Sequence, residues 1–226
     1  MADIYFVRHG QASFGKVNYD ALSELGHDQA RIAGEYLAKV CEPDVAFHGS
    51  LVRQQQTFSE IGKSFPDLRA TENRGLNEFN HENVLAVHYP EFLDREAFAA
   101  HIVKQDDPKK YFHRLYQRSV KQWLANEGDY EESFDQFKQR VTQSLRDIQQ
   151  QTPAGGCALA VSSAGPIALC LQDALGISIE QVFALNEVMA NSAITRVMFN
   201  QSGKISLSFY NNYQHLVYAD SQVTYR

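Results

Sequence analysis

The chain has 226 residues, a formal net charge of −6, and 44% hydrophobic, 12% aromatic and 21% charged residues. This length and composition are typical of one large globular domain or two small ones, and they exclude disordered, collagen-like and coiled-coil proteins. Because the charge balance is acidic and no basic stripe is present, we expect neither nucleic acid nor an anionic membrane as a partner.

The cysteines and the first residues indicate the compartment. Cys41, Cys157 and Cys170 are odd in number and show no CxxC spacing, and the last two lie in apolar runs that predict buried thiols in a reducing environment. The first residues lack the basic charge of a signal peptide, and no apolar stretch approaches the roughly 18 residues of a membrane span. We therefore expect a cytoplasmic protein. The sequence indicates no particular oligomeric state.

Strands and helices alternate in the first third of the chain. Residues 4–7 form a short apolar run that is typical of a buried strand, and Ser23 is placed to cap a helix with apolar residues near a period of 3.6. Residues 45–47 predict a second strand, a helix follows until Pro66, and residues 69–71 predict a third strand. This βαβαβ order indicates a parallel sheet with crossover helices.

The alternation stops between residues 79 and 151, where no convincing strand is found. Apolar residues at helical spacing predict one long amphipathic helix there: Phe134, Phe137, Val141, Leu145 and Ile148. We expect a helical insertion that covers the sheet as a cap.

The strand pattern then resumes. Residues 157–162 predict a strand, Pro166 suits the first position of a helix that reaches Leu175, and residues 193–199 and 205–210 predict two strands joined by a tight turn. The expected architecture is a single α/β domain over residues 1–226. It has a three-layer α/β/α core, a mostly parallel sheet and a helical cap at about 79–151.

Polar residues follow three of the predicted strands, at the edge where ligands bind in open α/β sheets. They are Arg8, His9, Gly10 and Gln11 after the first strand, Ser50 and Arg53 after the second, and Ser163 and Ala164 after the strand at 157–162. Arginine side chains match phosphate oxygens, and a helix N-terminus adds amide donors. A histidine between them can attack phosphorus as a nucleophile. These residues outline a site for phosphoryl transfer.

Several motifs accompany these residues. They are Arg8-His9-Gly10, Tyr-Asp-Ala-Leu-Ser at 19–23, Gly-His-Asp-Gln-Ala at 26–30, Ser-Leu-Val-Arg-Gln-Gln-Gln-Thr at 50–57, and Leu-Asn-Glu at 76–78. Together they resemble the signature of the histidine phosphatase superfamily, in its phosphoglycerate-mutase-like branch. The resemblance covers nearly the whole predicted core and leaves the insertion free.

The resemblance implies a role for each residue. His9 would attack phosphorus and become a phosphohistidine, Arg8 and Arg53 would stabilise charge on the phosphoryl oxygens, and Glu78 would protonate the leaving oxygen and then deprotonate water. It implies neither a metal nor a cofactor. The expected phosphate-binding residues are Arg8, Arg53, Ser163, Ala164 and Gln11.

Two positions depart from the family pattern. The family places a second histidine after a strand where this chain has Ser163, whose hydroxyl can donate a hydrogen bond but carries no positive charge. We expect either weakened activity or another group in this role, for which His81 and His215 are candidates. The residues after Glu78 also differ from many relatives, so Glu82 remains an alternative proton donor.

The sequence therefore predicts a phosphatase that hydrolyses a small phosphorylated substrate through a phosphohistidine on His9. Two alternatives remain open. One is phosphoryl transfer of the phosphoglycerate-mutase type, and the other is a non-catalytic protein that binds a phosphorylated ligand, which Ser163 favours.

Overall fold

The structure, a computed structural model, describes residues 1–13 and 20–225, without the side chains of residues 95 and 99. Tyr19, which belongs to one of the sequence motifs, lies outside the described residues. The chain divides into two compact units. The first unit comprises Met1–Glu78 and Arg140–Arg226, and the second unit comprises Phe79–Gln139.

Six strands form one sheet in the described part of the first unit. They are β1 (Ala2–Arg8), β2 (Val45–His48), β3 (Ala70–Glu72), β4 (Cys157–Ser162), β5 (Ile194–Phe199) and β6 (Ile205–Asn212). Their order is β3-β2-β4-β1-β5-β6. The first four strands in this order are parallel, and β5 and β6 are antiparallel to their neighbours. The predicted mostly parallel sheet is confirmed.

Helices connect most of the strands. Among the described residues they are α1 (Glu24–Val40), α2 (Val52–Gly62), α3 (His81–His88), α4 (Arg95–Val103), α5 (Pro108–Leu124), α6 (Phe134–Gln151), α7 (Ala164–Cys170), α8 (Gln172–Leu175), α9 (Ile179–Val188) and α10 (Gln214–Tyr218). Helix α1 contacts α2 and α10, whereas α7 contacts α9. Ser23 caps α1 by accepting a hydrogen bond from the Gly26 N–H, as predicted. In the described parts of the chain, no helix combines the length and the apolar character needed to cross a membrane.

The central strands are buried on both faces, as a sheet covered by helices on each side requires. On one face, side chains of β1, β2, β4 and β5 form a cluster with α1 and α2: Tyr5, Val7, Leu37, Ala46, Ile61, Leu159, Val161 and Ile194. On the other face, Ile4, Phe6, Ala158 and Ala160 have no exposed surface. The predicted three-layer α/β/α core is confirmed. The register of β1 and β4 places Arg8 beside Ser162, so both strands end at the same edge.

All the regular secondary structure in the described residues of the second unit is helical. The unit contains α3, α4, α5 and the first residues of α6. Its core is aromatic: the rings of Phe79 and Trp123 stack at 4.5 Å, and Phe137 contacts both. The predicted long helix is α6. That the helical insertion forms a cap over the sheet stays a prediction.

Four details differ from the sequence prediction. Helix α7 begins at Ala164, so Pro166 is its third residue rather than its first, a position whose N–H is also free of helical bonds. The helix ends at Cys170 and α8 follows as a separate element. Helix α9 was not predicted. Cys170 is buried as expected, whereas Cys157, the first residue of β4, is only half-buried.

Candidate active site

His9 follows β1 directly, and its imidazole is held in one orientation. Its N–H donates to the Ser162 carbonyl at 2.9 Å, which fixes the residue beside the end of β4. The residue is only 6% exposed, and Nδ1 lies 2.8 Å from the Gly10 carbonyl oxygen. Because a carbonyl oxygen can only accept, Nδ1 carries the proton. The lone pair of the neutral ring is therefore on Nε2.

Arg53, in the first turn of α2, contacts this lone pair. Its Nε donates to His9 Nε2 at 3.2 Å, and its side chain is 12% exposed. The guanidinium also forms an ion pair with Asp20. The same Asp20 carboxylate accepts from the Val52 N–H at 2.7 Å, at the start of α2. Asp20 thus holds Arg53 against the imidazole.

Burial and two arginine charges keep the imidazole neutral. Arg8, the last residue of β1, donates from its guanidinium to the Met189 carbonyl. Burial, followed by the positive charges of Arg53 and Arg8, holds the pKa of His9 well below its ordinary value of 6.5, although the hydrogen bond to Gly10 opposes this shift. At neutral pH, Nε2 is unprotonated, as a nucleophile requires.

The turn after β1 packs closely on α1. A Cβ at Gly10 would lie 2.3 Å from the Gly26 carbonyl oxygen, and a Cβ at Gly26 would lie 2.1 Å from the Gln11 carbonyl oxygen. The Gly10 N–H donates to Thr57 Oγ1 at 3.0 Å, and Thr57 donates to the Arg53 carbonyl at 2.7 Å. Because both glycines lack a side chain, the turn is held directly against α1 and α2.

The Glu78 carboxylate lies at the first turn of α7. The Gly165 N–H donates to Glu78 Oε2 at 3.1 Å, and a Cβ at Gly165 would lie 2.1 Å from Oε1. The main chain of Asn77 and Glu78 is held by α6, since Arg140 donates to the carbonyl of Asn77 at 2.7 Å and to that of Glu78 at 3.4 Å. Both the side chain and the main chain of Glu78 are therefore anchored within the first unit.

Ser163 is the N-cap residue of α7 and is fully buried. Its hydroxyl makes no capping bond with the helix and instead accepts from Gln54 Nε2 at 3.0 Å. Gln54, also fully buried, follows Arg53 on α2 and donates to the Leu76 carbonyl at 2.9 Å as well. The position at which the resemblance implies a second histidine thus holds a neutral hydroxyl bonded to a neutral amide.

Gln11 and Ala164 lie next to these residues. The Gln11 N–H donates to Gln29 Oε1 at 3.0 Å, and its side-chain carbonyl accepts from the Ser23 hydroxyl at 2.8 Å. Ala164 is the first residue of α7 and is 2% exposed. Gln11 therefore stabilises the turn, and the phosphate-binding role of both residues stays a prediction.

The histidines considered as replacements occupy other elements. His215, on α10, stacks on Tyr36 of α1 with ring centroids 5.4 Å apart, and burial lowers its pKa to about 4. It is neutral at pH 7, so it supplies no imidazolium charge. His81 and Glu82 begin α3 in the second unit, where the His81 ring contacts Phe79.

The first unit therefore combines a neutral imidazole, arginine charges and a carboxylate. This combination is suited to phosphoryl transfer, in which catalysis depends on positioning and charge stabilisation. In the described parts of the chain, no three histidine, cysteine or acidic side chains are grouped so that they could hold a metal ion. The sequence prediction gave no individual role to Asp20 or Gln54. The available signal was that Asp20 lies in the motif at 19–23 and Gln54 in the motif at 50–57.

Comparison with known proteins places this geometry in context. Residues 4–212 match the model of the histidine phosphatase superfamily (branch 1). A mutant phosphoserine phosphatase from Entamoeba histolytica, in complex with phosphoserine, is 18% identical with a TM-score of 0.65, covering 96% of this chain and 100% of that chain. YhfR from Bacillus stearothermophilus is 13% identical with a TM-score of 0.70 and the same coverage. Phosphoglycerate mutase from Bacillus anthracis is 14% identical with a TM-score of 0.65, covering 97% of this chain and 96% of that one. No curated protein matches the sequence.

Proposed function

Since the chain belongs to the histidine phosphatase superfamily, branch 1, we propose that it hydrolyses a small phosphomonoester through a phosphohistidine on His9. The observation that carries the proposal is the position of His9 Nε2, which bears a lone pair and lies 3.2 Å from Arg53 Nε. Neighbouring structures that hold phosphoserine and 3-phosphoglyceric acid support a small phosphorylated substrate.

The first half of the reaction forms the phosphoenzyme. When a phosphoryl group enters the site, its oxygens replace His9 Nε2 as the hydrogen-bond acceptor of the Arg53 guanidinium. The Nε2 lone pair is then free and attacks phosphorus. Arg53 and Arg8 stabilise the negative charge on the phosphoryl oxygens. The Ser163 hydroxyl accepts a hydrogen bond from Gln54 and donates a hydrogen bond to one of these oxygens. As the bond to the leaving oxygen breaks, Glu78 donates a proton to that oxygen.

The second half releases phosphate. The Glu78 carboxylate takes a proton from water, the water oxygen attacks phosphorus, and the bond to His9 Nε2 breaks. The imidazole returns to its neutral form, which its lowered pKa favours. Glu78 serves here rather than Glu82 because its carboxylate is fixed by the Gly165 N–H within the first unit.

The test measures phosphate release from para-nitrophenyl phosphate, phosphoserine and 3-phosphoglycerate. The wild type should form a phosphoenzyme that survives quenching in alkali and is lost in acid. His9→Ala should neither release phosphate nor form this phosphoenzyme. His48→Ala is the matched control, because His48 Nδ1 lies 2.8 Å from the Gly49 carbonyl in the same local arrangement at the end of β2. Equal release by the wild type and His9→Ala would refute the proposal.

Two other functions are separated by the same assays. A mutase would interconvert 2- and 3-phosphoglycerate in a His9-dependent reaction with little phosphate release. A binding protein, which the neutral Ser163–Gln54 pair favours, would show no His9-dependent turnover but would lose affinity for inorganic phosphate in Arg53→Ala. The cytoplasmic location stays a prediction.

A further inference from the structure

The segment after α10 returns to the turn that follows β1. Gln29 of α1 is fully buried and donates from Nε2 to the Gln222 carbonyl at 2.9 Å and to Thr224 Oγ1 at 3.0 Å. On its other side, Gln29 Oε1 accepts from the Gln11 N–H at 3.0 Å. Gln29 therefore connects Thr224 to the main chain of the turn.

Asn191 connects Thr224 to the same turn by a second route. Thr224 Oγ1 donates to Asn191 Oδ1 at 2.9 Å, and Asn191 Nδ2 donates to the His9 carbonyl at 3.2 Å. The Asn191 N–H also donates to the Thr224 carbonyl at 2.7 Å. Asn191 is fully buried, so each of these bonds satisfies a group that water does not reach.

The peptide group between Gly10 and Gln11 joins these bonds to the imidazole. Its N–H donates to Gln29, and its carbonyl accepts from His9 Nδ1 at 2.8 Å. Because the peptide group is planar, a rotation that turns the N–H away from Gln29 also turns the carbonyl away from the ring. The Nδ1–H bond keeps the lone pair on Nε2, so the tautomer of His9 depends on this peptide.

We propose that Thr224 is a positioning residue for His9. Its hydroxyl orients Gln29 and Asn191, these hold the turn from both sides, and the turn presents Nε2 as the unprotonated nitrogen. The inference rests on the proposed function of His9 and adds the segment after α10 to its support. Since Thr224 acts through the ring orientation, its loss should lower kcat rather than raise KM.

The kinetic test compares Thr224→Val, which has a similar shape and no hydroxyl, with Thr224→Ser, which keeps the hydroxyl. With para-nitrophenyl phosphate, kcat of Thr224→Val should fall about tenfold, with KM changed less than about twofold, as expected for one lost hydrogen bond. Thr224→Ser should restore most of the rate. Gln222→Ala is the control, because only its main-chain carbonyl takes part and the residue is exposed. Thermal unfolding shows that each variant is folded.

A second readout does not depend on turnover. Long-range 1H–15N spectra distinguish imidazoles protonated at Nδ1 from those protonated at Nε2, and the His9 signal is identified by its loss in His9→Ala. The wild type should show the Nδ1–H form, and Thr224→Val should show a mixture. The inference would be overturned if Thr224→Val kept both the tautomer and the kcat of the wild type. It would also be overturned if Thr224→Ser failed to restore the kcat that Thr224→Val loses. If His9→Ala retained full activity, the proposed function would fail while the tautomer would still test Thr224.

Discussion

The Glu78 carboxylate keeps its position because residue 165 has no side chain, and Gly165→Ala tests this dependence. The new Cβ would lie 2.1 Å from Glu78 Oε1 and 3.1 Å from its Cδ. Since non-bonded atoms approach to roughly 3.5 Å, the carboxylate would retreat by more than about 1 Å and lose its hydrogen bond from residue 165. The fold should survive, because the displaced atoms are the end of a flexible side chain.

The expected loss depends on the leaving group. A misplacement of about 1 Å costs up to about 100-fold in rate. Phosphoserine has an alkoxide leaving group that needs a proton, so its kcat/KM should fall by about this factor in Gly165→Ala. Para-nitrophenolate leaves without a proton, so the loss with para-nitrophenyl phosphate should be less than about tenfold.

The assay is steady-state kinetics with both substrates, together with urea unfolding. Gly62→Ala is the matched control, since among the described residues its Cβ would meet only Phe58 Cε1, at 3.9 Å. It should retain wild-type kinetics and gain up to about 1 kcal/mol in unfolding free energy. A folded Gly165→Ala that loses no activity towards phosphoserine, or loses equally with both substrates, would show that Glu78 does not protonate the leaving oxygen.

Three further perturbations have defined outcomes. Burial lowers the pKa of His215 to about 4, so the unfolded state binds the proton first as the pH falls below 6.5. The unfolding free energy, measured by urea titration, should therefore drop by up to about 3 kcal/mol between pH 6.5 and 4. The His215→Phe variant should not show this pH-dependent drop. Burial and the charge of Arg53 both lower the pKa of His9, and Arg53→Met removes that charge. In the pH profile of kcat/KM for para-nitrophenyl phosphate, the fall of activity at acidic pH should therefore move up towards pH 6.5. Ser163→His overfills a fully buried position beside Gln54 and should lower the unfolding free energy by about 1–3 kcal/mol, which Gln54→Ala should relieve in the double variant. Only the double variant should hydrolyse substrate faster than the wild type.

Contrary results are equally clear. The pH argument for His215 is wrong if His215→Phe and the wild type lose stability in parallel. An acid limb that stays in place in Arg53→Met would show that this charge does not control the nucleophile. A wild-type melting curve for Ser163→His would show that the position has room for an imidazole.

The fold could be predicted largely because its elements carry local signals. The strand predicted at 157–162 is β4, and the apolar spacing of the long helix is that of α6. The sequence also carries a local signal for α9, since Ser178 and Gln181 form a capping box at its start. The division of the predicted helix into α7 and α8 had no clear local signal, because helix ends depend on packing as well as on sequence.

The site could be predicted only as a set of residues. The meeting of His9 and Arg53 follows from parallel strands that end at one edge of the sheet. The partners of these residues do not, since Asp20 is 33 positions from Arg53 and Ser163 is 109 positions from Gln54. Contacts of this kind depend on the register of the whole sheet, which no single motif encodes.

Arg140 fastens the two points between which the second unit is inserted. It is the first residue after that unit, and its guanidinium bonds the main chain of Asn77 and Glu78, the last residues before it. One side chain thus bonds the chain segment that leads into the second unit to the segment that follows it. The main chain of Glu78 is therefore held by a residue of the first unit that lies on the far side of the insertion in the sequence.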